Sequence, residues 1–139
     1  HVCIFAPDGR MLVQQRTSGK VILPGRWDVS AAGGVDAGED SRMAAERECR
    51  EELGYPLDLT GVRATLSVNF PQGFDDFFLV ERDVDLKVLK LQPEEVAQVR
   101  WVTLEEAEAM AADGRFIPYP EGFLRFLFSM RGKFGFPTK

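Results

Sequence analysis

Glu48, Glu51 and Glu52 are the residues of this chain whose type and spacing most directly suggest chemistry. Separated as i, i+3 and i+4, they fall within one arc of roughly 100° on a helix, where each residue advances by about 100°. Like charges so placed repel, which costs stability unless a cation binds among them. Carboxylate oxygens are the hard ligands that Mg²⁺ prefers, and that ion usually keeps several waters while bridging one or two carboxylates to substrate phosphates. The same triad also reads as a solvated acidic face balanced by Arg47 and Arg50, and taken alone the spacing favours that plainer reading.

The elements that must position these carboxylates follow from local sequence. Asp40 or Ser41 is a helix N-cap, no Gly or Pro interrupts the chain from there to Leu53, and Gly54 is placed to stop the helix. Residues 1–16 alternate apolar and polar types around Pro7-Asp8-Gly9 and predict a β-hairpin. Residues 17–25 read as a loop, followed by short extended pieces over 27–32 and 33–35. A second hairpin is expected from strands over 62–70 and 74–82 separated by Pro71-Gln72-Gly73, and a further strand over 96–102. Thr103-Leu104-Glu105-Glu106 has capping-box spacing and opens a helix to about Ala112, ended by Gly114. A last helix is expected over 121–131, with Phe123, Leu124, Phe126, Leu127 and Met130 as a stripe docked on the core. Strands interleaved irregularly with three helices indicate an α/β (α+β) fold, a mixed sheet with helices on its faces.

At 139 residues and 45% hydrophobic composition, the chain has the size of a single domain, 1–139. It has no run of 18 apolar residues and no leader pattern at its start, so a cytoplasmic protein without membrane attachment is the expectation. The chain opens inside a predicted strand, which leaves open residues upstream, a removed targeting segment among them. Cys3 and Cys49 match no metal or redox spacing and read as buried small hydrophobes. A net charge of -5 argues against a nucleic-acid polymer as partner. A small anionic substrate is compatible with that charge if a metal or a few placed Lys and Arg residues receive it. The sequence does not distinguish a monomer from a homodimer.

The surroundings of the triad overturn the plainer reading. Gly33, five residues, Glu39, seven residues and then Arg47-Glu48-Cys49-Arg50-Glu51-Glu52-Leu53-Gly54-Tyr55 resemble the Nudix box, Gly-x5-Glu-x7-Arg-Glu-U-x-Glu-Glu-x-Gly-U with U a bulky apolar residue. All seven invariant positions are filled, with a chance probability on the order of 10⁻⁸ per starting point at ordinary residue frequencies. Cys49 and Tyr55 depart from the usual aliphatic residues at the U positions, and both can still pack. The resemblance covers nearly the whole chain and implies a Nudix-type α/β/α sandwich. It implies further that Glu48, Glu51 and Glu52 hold Mg²⁺ (or Mn²⁺), with the Gly33 carbonyl as a further ligand and Glu39 and Arg47 supporting the site. Arg47 would orient a box carboxylate. The implied reaction is hydrolysis of a phosphoanhydride bond by metal-activated water, with Glu48, or Glu94 or Glu95 from a later loop, accepting the proton.

Outside the box, Gln14-Gln15-Arg16, Leu23-Pro24-Gly25-Arg26-Trp27-Asp28-Val29-Ser30 and Phe116-Ile117-Pro118-Tyr119 are similar to the isopentenyl-diphosphate-isomerase-like subgroup. By that resemblance Arg16 and Lys20 would contact the diphosphate of a small-molecule substrate. The isomerases rely on a Cys and a metal-binding His where this chain has Ala32 and Gly34, so hydrolysis is favoured over isomerisation. A non-catalytic nucleotide-binding module is the other alternative, disfavoured by the intact carboxylates. Family analogy makes a nucleoside diphosphate derivative the expected substrate. Phe70, Phe74, Phe77, Phe78 and Trp27 could form a stacking wall for a base or belong to the core, and Asp75 and Asp76 could read hydroxyls or face solvent.

Overall fold

The computed structural model describes residues 1–133; residues 134–139 of the expected domain lie outside the described residues. Its sheet comprises β1 (Val2–Phe5), β2 (Met11–Arg16), β3 (Trp27–Asp28), β4 (Leu66–Phe70), β5 (Gly73–Glu81) and β6 (Val96–Val102). The three α-helices are α1 (Ser41–Leu53), α2 (Leu104–Ala112) and α3 (Phe123–Met130). The order β3-β2-β1-β5-β4, with β6 also on β2, is mixed: β1 runs parallel to β5 and the other pairs are antiparallel.

β1 is buried along its whole length because helices cover both faces of the sheet. Cys3, Phe5, Phe77 and Leu79 join Met110, Leu124 and Leu127 from α2 and α3 on one side. Val2, Ile4, Phe78 and Val80 join Ala45, Cys49 and Leu53 of α1 on the other. Ala45, Cys49 and Leu53 recur every four residues, so they form the stripe that seats α1 on the sheet. Asp40 accepts from the Met43 amide at 2.8 Å to cap the helix, and Gly54 ends it at φ +66°.

Three expectations need correction. Residues 27–35 form strand only at β3, because β2 has one edge taken by β6 and the other divided between β1 at Met11 and β3 at Gln14 and Gln15. Where β1 and β2 part, the Ser30 hydroxyl accepts from the Ile4 amide at 2.8 Å and donates to the Leu12 carbonyl at 2.5 Å, replacing the missing ladder bonds. Residues 62–65 precede β4 rather than belong to it. In α3, Phe126 is 44% exposed and Phe128 is buried in its place, because Leu124, Leu127 and Phe128 are the residues at i, i+3 and i+4. Among the described residues, no helix is long and apolar enough to cross a membrane.

Candidate metal and active site

The seating of α1 sets a gradient along its acidic face. Glu52 lies beside Leu53 and is buried, Glu48 is partly covered, and Glu51 is half exposed. One Glu52 oxygen accepts from the Ala32 amide at 2.9 Å and from Gln14 Nε2 at 3.2 Å, while that same Gln14 nitrogen donates to the Ser30 carbonyl at 3.0 Å. The divided edge of β2 thus delivers both a backbone N–H and a side-chain amide to one carboxylate. Burial pushes Glu52 up to about 7; the charges of Glu48 and Glu95 add to this, and the two hydrogen bonds oppose it. Burial also raises Glu48, outweighing the attraction of Arg47.

Arg47 ties the remaining residues together. Its Nε and Nη2 donate to the two oxygens of Glu39 at 2.8 and 3.0 Å, a fork that matches carboxylate geometry. Its Nη1 donates to Glu48 at 2.8 Å and Glu51 at 3.3 Å, and Nη2 also reaches the Gly34 carbonyl at 2.9 Å. Those Arg47 bonds, with the Asp36 amide donating to Glu39, hold the Glu39 carboxyl down to about 2. Gly33 leaves room for Glu48: a Cβ there would lie 2.1 Å from the Glu48 carboxyl carbon, so the Glu48 side chain would have to move away. The structure therefore gathers Glu39, Glu48 and Glu51 around Arg47, sets Gly33 against Glu48, and holds Glu52 separately on Gln14 and the Ala32 amide.

Arg16 and Lys20 are engaged elsewhere. Arg16 donates to the Ile22 and Leu23 carbonyls of its own loop, and Lys20 pairs with Glu95. Of the five aromatic residues considered for stacking, Trp27, Phe77 and Phe78 are core, while Phe70 and Phe74 are exposed. Asp76 accepts from the hydroxyls of Ser41, at 2.5 Å, and Ser67. A cavity of about 760 Å³ opens beside the carboxylates, lined among others by Gly33, Glu48, Ser41, Gln72 and Phe74. That volume is in the range of small-molecule sites.

The donor set suits a hard divalent cation: it consists of carboxylate and carbonyl oxygens, and Glu52 is a buried carboxylate whose charge is opposed by Glu48. Among the described residues, no three His, Cys, Asp or Glu side chains stand grouped to hold a metal, since Glu48 and Glu51 are turned to Arg47. Cation binding would therefore exchange Arg47 contacts for metal contacts at those two residues.

The model of the NUDIX domain matches residues 1–120. The chain belongs to the Nudix family. An uncharacterized Nudix hydrolase of Listeria monocytogenes is 50% identical over 131 residues, which cover 94% of this chain and 76% of that protein. An isopentenyl-diphosphate Delta-isomerase of Streptomyces avermitilis is 35% identical over 138 residues, covering 94% and 67%. A Deinococcus radiodurans crystal structure superposes with a TM-score of 0.71 at 22% identity, over 91% of this chain and 78% of its own. The MutT protein of Methanosarcina mazei gives 0.70 at 24%, over 93% and 89%. These two likenesses bear on the fold, and both agree with the helix-covered mixed sheet.

As a Nudix pyrophosphohydrolase, the chain has two supporting residues that motif reading quoted only as parts of longer runs and gave no role. Gln14 follows Leu12 on the α1-facing side of β2, so a polar amide at that inward position was the available signal. Ser30 had none, because its role arises only where two strands separate. Asp28 is a further buried carboxylate, accepting from the Tyr119 hydroxyl at 2.7 Å and raised by burial.

Proposed function

We propose that this Nudix enzyme hydrolyses a phosphoanhydride bond in a small nucleoside diphosphate-type molecule, in a Mg²⁺-dependent reaction. The observation that supports the reading is the set of carboxylates that Arg47 draws together at α1, of which Glu48 lines the cavity at a wall where Gly33 leaves no side chain in the way. Glu48, Glu51, Glu52 and the Gly33 carbonyl would hold the cation. Mg²⁺, or Mn²⁺ in its place, supplies charge neutralisation of phosphate oxygens and a water made more acidic.

The protein's own groups account for the rest. Gln14 and the Ala32 amide fix Glu52, and Arg47 orients Glu48 and Glu51 while locking residues 33–39 through Glu39. Glu48, which lines the cavity with one oxygen bonded to Arg47, or Glu94 or Glu95 from the later loop, would accept a proton from attacking water. Arg16 and Lys20 would reach the diphosphate by exchanging their present partners for phosphate oxygens.

Relatives named as isomerases make proton transfer on an isoprenoid diphosphate the second reading. It is disfavoured because Ala32 contributes its backbone amide to Glu52 and Gly34 its carbonyl to Arg47, and neither offers a side chain for that chemistry. The discriminating experiment is Glu52→Gln. We expect kcat/KM for phosphoanhydride cleavage to fall by at least about 100-fold, with the far-UV spectrum unchanged. Unchanged turnover in the folded variant would refute the assignment.

A further inference from the structure

We infer that Phe74 is a specificity residue: its exposed ring forms the platform on which a planar base of the substrate stacks, in the cavity that Glu48 also lines. The inference rests on the hydrolase reading above and names the residue that recognises the base of that substrate.

Strand parity places the ring. Phe74, Asp76, Phe78 and Val80 occupy alternate positions of β5, so their side chains leave one face of the sheet. Phe78 and Val80 belong to the core beneath α1, and Asp76 accepts from Ser41, the first residue of α1. Phe74 therefore stands on the α1 side of the sheet, two residues farther out. It is 61% exposed, yet it lines the same cavity as Gly33 and Glu48. The hydrogen bonds from Ser41 and Ser67 to Asp76 anchor β4 and β5 to the start of α1, which keeps the platform at a fixed distance from the carboxylates. An aromatic ring left this open at the rim of the cavity is without a packing role of its own, unlike Phe77 and Phe78.

The choice of a base over an isoprenoid chain follows from the openness of the wall. An alkenyl chain laid on so exposed a ring would leave its far side in water and gain little there. A base presents one π-face to the ring and keeps its polar edges hydrated or bonded, which a one-sided platform permits. The Gln72 side chain and the Ser41 hydroxyl at the same cavity supply polar groups of the kind a base edge or ribose uses.

The test compares the intact chain with Phe74→Ser, Phe74→Leu and Phe74→Trp, using ADP, CDP and isopentenyl diphosphate. Binding is read in EDTA by saturation-transfer NMR and titration, and kcat and KM are read with Mg²⁺. Phe74→Ser is expected to weaken nucleotide binding and raise KM by about 5- to 100-fold, with kcat little changed and loss of saturation transfer to the base protons. Phe74→Trp should retain both, and Phe74→Leu, which keeps apolar bulk without a π-face, should show the same losses as the serine variant and replaces it if that variant is unstable. Isopentenyl diphosphate should respond by less than about twofold. Nucleotide binding unaltered in Phe74→Ser or Phe74→Leu, or an equal loss for isopentenyl diphosphate, would overturn the inference. Failure of the hydrolase reading looks different: no phosphate is released from any of the three compounds, whatever residue 74 is.

Discussion

Glu52 holds the sharpest conflict at the scale of single residues, a carboxylate buried beside another carboxylate and pushed up to about 7. Its folded value lies above the unfolded one, so the group takes up a proton on folding between about pH 4.5 and about 7. Its contribution is therefore most favourable below that window and is lost as pH rises through it. Metal-free protein should lose roughly 1–3 kcal/mol from this group across the window. Glu52→Gln should flatten that part of the curve, and urea unfolding at pH 5 and pH 8 measures it. An identical slope in the variant would mean that another group titrates there. Gly33 and its neighbour Gly34 supply a paired test of space. A Cβ at Gly33 would collide with the Glu48 carboxyl, whereas one at Gly34 meets nothing within 4 Å. Gly33→Ala is expected to reduce activity by at least about 10-fold through displacement of Glu48, and Gly34→Ala to leave it nearly intact. Equal effects would show that conformation, not approach, governs this loop.

The elements differ in how much of them local sequence could reveal. α1 was fully legible, because its cap at Asp40, its unbroken helix formers and its stop at Gly54 are all local signals. β6 and α2 were legible for the same reason, with the Thr103–Glu106 capping box formed in both directions. Residues 27–35 were not, since their short strand and following loop are fixed by the way β2 divides one edge between β1 and β3. That division is a tertiary fact without a periodicity. It is also where Glu52 finds its partners, so the carboxylate triad was readable in the sequence and its hydrogen-bonding cradle was not. The loop cations Arg16 and Lys20 were assigned by resemblance, and their observed partners, loop carbonyls and Glu95, depend on a loop conformation that no local pattern specifies. Ser30→Ala tests the divided edge directly. It leaves the Ile4 amide and the Leu12 carbonyl unpaired in the interior, at a cost of about 1–3 kcal/mol. Chemical unfolding should register that loss, and a neutral substitution would show that the edge closes without the hydroxyl.

Across the whole molecule, folding and cation binding are coupled through the same carboxylates. The chain carries a net charge of -5, and part of that excess lies on α1 and the loop before it, with Arg47 as its main internal counterion. A divalent cation that binds only the folded site should raise the melting temperature, by an amount equivalent to about 2.7 kcal/mol at 100 times its Kd. The increment should be larger at pH 8 than at pH 5, because a protonated Glu52 is a poor ligand. A pH-independent increment would place the cation elsewhere. The central claim, attack of water on a phosphoanhydride, is tested most directly by ³¹P NMR of the Mg²⁺ reaction in ¹⁸O-water, with nucleoside diphosphates and isoprenyl diphosphates as substrates. The account predicts ¹⁸O in one phosphate-bearing product of a nucleoside diphosphate. Dimethylallyl diphosphate formed from isopentenyl diphosphate, with every phosphoanhydride left intact, would contradict it.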